Sequence, residues 1–246
     1  MAATLLFAGE ILFILVGIFH PAREAANSHA AVFAEYAQSE IWTAVHLGQF
    51  LTTGVILAGF LILFCALNVE SGAPRWLVRF GAVSVGVTFT LTGVLQAVDG
   101  VALKQAVDAW AGAPAAEQTV RFASAEAVRW LEWGVRSYQR IMLGLSMVLF
   151  ATTIVWTARI PRLIGLVMGV SGVTYLIQGV IVGGEGFSAT LTLPGLIAFV
   201  TDLVWMLWLV AFAWHMKSAA PALARTGRAV PWSALDARTS SAREHV

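Results

Sequence analysis

The feature that most constrains this chain is its series of long apolar runs. Several are long enough to cross a hydrocarbon core, which takes about 20 apolar residues in a helix. An open strand in lipid would leave its backbone groups unsatisfied, so each run reads as a helix. Composition agrees: 59% of the residues are apolar and 12% charged, the latter about half of what a globular domain carries. A single water-soluble core is excluded, and the expected fold class is an all-α polytopic membrane protein. Six spans are drawn, at about residues 4–19, 41–67, 77–98, 133–157, 163–182 and 193–216. They form one transmembrane domain over 1–217, followed by a tail, 218–246, rich in Arg, Ser, Thr and Ala and expected to be disordered. The first run follows no basic leader and precedes no small-residue cleavage site, so it is expected to remain as a span.

Charges are sorted by side. Arg75 and Arg79 lie in one short connection, Arg159 and Arg162 in another, and Lys217, Arg225 and Arg228 follow the last span. The remaining connections carry Glu24, Glu35, Glu40, Asp108, Glu117, Glu126 and Glu185. By the positive-inside rule both termini are expected to face the cytoplasm, with the spans in a plasma (inner) membrane. Two tryptophan belts fit that orientation: Trp42, Trp110, Trp130 and Trp133 outside, Trp76, Trp156 and Trp214 inside. Between the first two spans, AREAANSHAAVFAEYAQSE is expected to form an amphipathic helix at the interface. VALKQAVDAW reads as a helical extension of the third span.

The chain also matches itself. GVTFTLTGVLQAVDG (86–100) aligns without a gap on GVTYLIQGVIVGGEG (172–186), pairing Thr88 with Thr174, Phe89 with Tyr175, Gly93 with Gly179 and Asp99 with Glu185. EILFILVGIFH (10–20) fits more weakly through Phe13 and Gly17. Three parallel hairpin repeats would explain this, an arrangement that occurs in transporters; the small alphabet of apolar helices would explain it too. The Pro-x-acidic-x-x-basic motif of mitochondrial carriers is absent. The segment IPRLIGLVMGVSGVTYLIQGV (160–180) resembles bacterial six-span membrane proteins grouped only by a domain of unknown function. That resemblance covers most of the membrane region and implies a fold, with no activity attached.

Charges inside a membrane are costly, so each marks a candidate site. Glu10 lies near the middle of the first span and Asp202 near the middle of the sixth. If the hairpins close into a ring, those two carboxylates face each other, with Arg140 positioned to neutralise one. Nearer the outer side, His46 and Gln49 share one helix face. Glu132, Arg136 and Arg140 form a stripe at steps of four, and Gln96, Asp99 and Gln178 add polar groups at similar depth. These residues would line a ligand cavity; alternatively the carboxylates form a buried ion cluster, the stripe snorkels and the glutamines bond helices together.

His20, His29 and His46, with Glu24, Glu35 and Glu40, are the available metal ligands, but no HExxH or i,i+4 histidine pair is present and no metal is expected. The lone Cys65 excludes a disulfide framework and any CxxC site. The drawn spans contain no lysine, which excludes a retinal Schiff base, and no dinucleotide fingerprint stands in a strand-to-helix context. No cofactor and no nucleic-acid partner is expected; the partners are the bilayer and a small molecule. Three functions remain. The first is binding or transport of a small amphipathic or anionic molecule, with Arg136 and Arg140 as counter-charges. The second is an enzyme for a lipophilic substrate, with Glu10 or Asp202 as acid and His46 as base. The third is a structural or assembly partner.

Overall fold

The computed structural model describes residues 1–21 and 24–225, all of whose regular structure is helical. The order is α1 (Ala2–Gly17), α2 (His29–Ala37), α3 (Trp42–Leu67), α4 (Gly72–Ala97), a π-helical turn (Val98–Leu103), α5 (Lys104–Ala111), α6 (Gln118–Thr157), α7 (Arg162–Glu185), a 3₁₀ turn (Ala189–Leu191) and α8 (Thr192–Arg225). Five helical stretches are long and apolar enough to cross a membrane. α1 is apolar but has only 16 residues, about 24 Å of helix against a core of about 30 Å. α8 carries the last apolar run on to Arg225; the rest of the expected tail lies outside the described residues.

Helix ends follow local chemistry. Asn68 (φ 42°) closes α3 and Ala158 (φ 51°) closes α6, both in the left-handed region. Arg159 donates to the Leu67 and Asn68 carbonyls, groups at the end of α3 that have no partner within the helix. Pro74 stands in the first turn of α4 and Pro161 caps α7, positions where a missing N–H costs nothing.

The long helices close into a ring in chain order. α1 packs on α3, α3 on α4, α4 on α6, α6 on α7, α7 on α8, and α8 returns to α1. The main core fills one end of this ring with Leu6, Phe60, Leu63, Phe150, Ile154, Met168 and Trp205. Large apolar side chains such as Leu15, Phe80, Val83, Leu163 and Leu207 point outward, as lipid-facing surfaces require. The closest pair is α6–α7, where small residues let backbones meet. A Cβ added at Gly144 would lie 2.6 Å from the Gly172 carbonyl oxygen, and one at Gly179 would lie 2.9 Å from that of Ser137. Ser137 also donates to the Gly179 carbonyl at 2.7 Å. Small residues and hydroxyl bonds of this kind hold membrane helices together.

Four expectations change. The fourth span is part of a longer helix, since α6 begins at Gln118 rather than near 133. The interfacial segment does form a helix, α2, but its apolar face packs on protein: Val32, Phe33 and Tyr36 join Trp42, Leu103, Val107 and Ala125 in a second core. Trp42 leaves the outer belt, being buried with its indole N–H donating to the Asp99 carbonyl; Trp76, Trp130, Trp156 and Trp214 are exposed. The aligned segments do not share surroundings either. Gly93 meets only Phe50 at 3.7 Å where Gly179 is tightly enclosed, and Asp99 is buried where Glu185 is exposed.

Candidate functional site

A cavity of about 610 Å³ lies within the ring. That is an ordinary size for a small-molecule site. Its lining combines Glu10, Phe13 and Gly17 from α1 with Gln49, Thr53, Ile56, Leu57 and Phe60 from α3. Thr92, Leu95 and Gln96 come from α4, and Asp99 from the π turn. Arg129, Arg136, Gln139, Arg140, Leu143 and Met147 come from α6, Tyr175 from α7, and Asp202 and Met206 from α8. At one end it reaches the loop residues His20, Pro21, Glu24, Ala26 and Phe187 together with Glu35 and Tyr36 of α2. Of the residues proposed from sequence, Glu10, Gln49, Gln96, Asp99, Arg136, Arg140 and Asp202 all line this one space.

Beside the loop end lies a buried ion network. The π turn directs Asp99 inward, where its Oδ2 accepts from Arg136 Nη2 at 2.8 Å and faces His46 Nε2 at 3.2 Å. His46 is oriented from behind, because its Nδ1–H donates to the Trp42 carbonyl at 2.8 Å. Gly100 makes this approach possible: a Cβ there would lie 2.6 Å from that of His46. Arg136 donates its other face, through Nε, to Glu132 Oε1 at 2.7 Å, and Arg129 Nη1 donates to Glu132 Oε2 at 2.8 Å. Glu132 has no exposed surface. Two carboxylates shared among two guanidinium groups balance their charges, as a buried cluster must. Thus Glu132 and Arg136 do not snorkel. They form a structural knot whose Arg136 and Asp99 also border the cavity.

Phe187 covers this knot, with its ring centre 5.1 Å from the Arg129 guanidinium carbon and 5.3 Å from that of Arg136, within cation–π range. The loop carrying it is clamped by Asn27, which donates to the Glu185 carbonyl at 2.8 Å and accepts from the Phe187 N–H at 2.9 Å. Gly186, at φ 65°, supplies the turn and lies where a Cβ would strike the Trp133 ring at 2.5 Å.

The deeper half of the cavity differs. Asp202 accepts from the Tyr175 hydroxyl and from the Trp205 indole N–H, each at 3.0 Å. Glu10 and Arg140 make no hydrogen bond and no ion pair among the described residues. The expected neutralisation of a midplane carboxylate by Arg140 therefore does not occur. Tyr175, one helix away, takes the place at Asp202 that the arginine was expected to fill. Around these groups the walls are apolar: Leu57, Phe60, Leu143, Met147 and Met206.

Three candidates stand apart. His46 is buried behind Asp99 and is not a lining residue. Glu132 is likewise screened by its arginines. Gln178 is buried and donates to the Pro194 carbonyl at 3.2 Å, joining α7 to α8. The histidines divide: the rings of His20 and His46 lie 5.2 Å apart, while His29 pairs with Glu126 at 2.9 Å and stacks on Phe33. Among the described residues no group of three or more His, Cys, Asp or Glu is arranged to hold a metal. His20 donates through Nδ1 to the Pro21 carbonyl at 2.7 Å. Burial, reinforced by His46, holds its pKa below the usual 6.5. Tyr36 packs against Trp42 with ring centres 4.1 Å apart and planes tilted by 42°, and burial pushes its phenol up to about 12.

Arg129, Tyr175 and Phe187 were missed from sequence. Arg129 stands three residues before Glu132, a spacing that signals a pair on one helix face; placing the span boundary at 133 hid it. Tyr175 reads as an ordinary apolar-helix aromatic, and Phe187 as a loop residue. Comparison of the chain with protein-family models, curated proteins and solved structures finds no match in any of the three.

Proposed function

We propose that this chain is a six-span protein of a bacterial inner membrane that binds or transports a small amphipathic or anionic molecule within its ring of helices. α1 would serve as a sixth, short span, and both termini would face the cytoplasm. The resemblance of residues 160–180 to uncharacterised six-span families fits this architecture and adds no activity. One observation carries the functional reading: Arg140 borders a cavity of about 610 Å³ and has no carboxylate partner among the described residues. A guanidinium held in a largely apolar space gains strongly from an anion that reaches it, since the pair interacts in a low effective dielectric. The apolar walls suit the body of an amphipathic molecule, and Gln49, Gln96 and Gln139 supply neutral hydrogen-bonding groups at its polar end. Arg136 is less available because Asp99 and Glu132 already engage it.

The test uses saturated carboxylates of increasing length, from hexanoate to dodecanoate, on purified protein in a non-ionic detergent. Binding by calorimetry is expected for the wild type. It is expected to fall at least tenfold in Arg140→Gln and in the cavity-filling variant Leu143→Trp, with both variants retaining their cooperative melting. Equal binding by all three proteins would overturn the reading.

A second reading rests on Tyr175 and Asp202. A phenol bonded to a carboxylate at a cavity wall, with Glu10 also lining that cavity, could serve as an acid–base set for a lipophilic substrate. Turnover abolished by both Tyr175→Phe and Asp202→Asn would favour an enzyme over a carrier.

A further inference from the structure

A guanidinium and a carboxyl group line the cavity without meeting. Arg140 projects from α6 and Glu10 from α1, helices that do not adjoin in the ring. Each borders the same space, and neither makes an ion pair or hydrogen bond among the described residues. Asp202, on α8 beside α1, contributes a second carboxylate, already held by Tyr175 and Trp205. The ring therefore presents a cation on one wall and an acid on another, across an apolar space.

Bringing the two walls together would let the charges neutralise each other, but the helix packing opposes it. α1 is fixed on α3 through close glycine contacts: a Cβ at Gly9 would lie 3.0 Å from the Ile56 amide nitrogen, and one at Gly59 the same distance from that of Leu6. α6 is fixed on α7 by the Gly144, Gly172 and Gly179 seam. Rigid walls with complementary charges favour a ligand that brings both partners with it. A simple anion would satisfy Arg140 and leave the Glu10 carboxyl without a hydrogen-bonding partner, and a simple amine would do the reverse. A molecule with one anionic and one cationic group would satisfy both.

We infer that the ligand is a small zwitterion, carrying an acidic group for Arg140 and an amino group for Glu10 on a short apolar skeleton. This rests on the binding reading above and narrows its ligand class. Phe60, Leu143 and Met147 would contact the skeleton, and the knot of Asp99, Arg136 and Glu132 would remain intact.

The experiment compares four probes of matched skeleton on purified full-length protein: hexanoate, n-hexylamine, L-norleucine and 6-aminohexanoate. The last two are isomers that carry the amino group next to the carboxylate or at the far end of the same six-carbon acid, and so differ in charge separation. Calorimetry is expected to show one zwitterion binding at least tenfold more tightly than hexanoate and hexylamine. Glu10→Gln is expected to erase that advantage while preserving hexanoate binding, and Arg140→Gln to reduce both. Arg140→Lys, which retains the charge, should keep part of the affinity and so guards against a folding defect in Arg140→Gln. If hexanoate binds as tightly as both zwitterions and is indifferent to Glu10→Gln, the zwitterion inference fails and the anion-binding reading stands. If none of the four probes binds, both fail.

Discussion

Arg136 and Arg140 stand one helical turn apart, yet their surroundings predict opposite responses to the same substitution. Arg136 neutralises Asp99 and Glu132 at 2.8 and 2.7 Å, so Arg136→Met leaves buried carboxylates short of a partner. Breaking a buried pair in this way typically costs about 3–5 kcal/mol, and detergent melting should show a large drop. Arg140→Met breaks no ion pair among the described residues, so its melting should stay close to that of the wild type. Equal losses would show that Arg140 has a partner the structure does not assign. His20 gives a pH test. Its folded-state pKa lies below the unfolded value of 6.5, so the unfolded chain takes up a proton first as pH falls. Stability contributed by neutral, buried His20 is therefore lost as pH drops below about 6.5, with the loss ending near the lowered folded value. Melting of the wild type between pH 7.5 and 5.5 should fall more steeply than that of His20→Gln, and parallel slopes would refute this. At this scale the sequence was informative about identity and silent about partners. Glu10, Asp99, Arg136, Arg140 and Asp202 were conspicuous because charge is expensive in an apolar helix. Which of them meet depends on helix rotation, set by contacts between distant residues such as Gly100 against His46.

Hydropathy located the apolar elements well, because burial in lipid demands continuous apolar runs. It anticipated the extension of the third span but missed that of the fourth. α6 extends to Gln118 because Ala125 packs in the core with α2 and α5 and Arg129 donates to the carbonyl of the loop residue Ala26, a gain invisible to a hydropathy window. The π turn at Val98–Leu103 was read simply as continuing helix; its extra residue per turn rotates Asp99 and Gly100 toward His46. π turns within helices often mark functional sites. The glycines give the element-scale prediction. Gly144→Ala and Gly179→Ala each force a Cβ against backbone across the α6–α7 seam, and overpacking of this sort costs about 1–3 kcal/mol. Gly93→Ala meets only the Phe50 ring edge at 3.7 Å and should melt as the wild type does. A loss at Gly93 equal to that at Gly179 would restore the equivalence implied by the internal alignment.

The whole molecule is a ring of helices around a cavity, capped at one end by α2, α5 and the clamped Phe187 loop and filled at the other by the main apolar core. Ring closure was anticipated as a condition for Glu10 and Asp202 to share a site, and α1 does pack on α8. The cavity itself was not legible, since an enclosed space is a property of six packed walls. Orientation belongs to this scale as well. Ser28 and Ser218 are both exposed, on either side of the proposed spans. In a Cys65→Ser background, a cysteine at position 28 should react with an impermeant thiol reagent in intact cells, and one at 218 only after lysis. The reverse pattern would invert the topology, and equal labelling would remove one span. The most direct test of the central claim is a high-resolution structure of the protein extracted with its native lipids and ligands. The account predicts non-protein density in the cavity within hydrogen-bonding distance of Arg140, with the Asp99–Arg136–Glu132 knot unchanged. A closed cavity in which Arg140 pairs directly with Glu10 or Asp202 would contradict it.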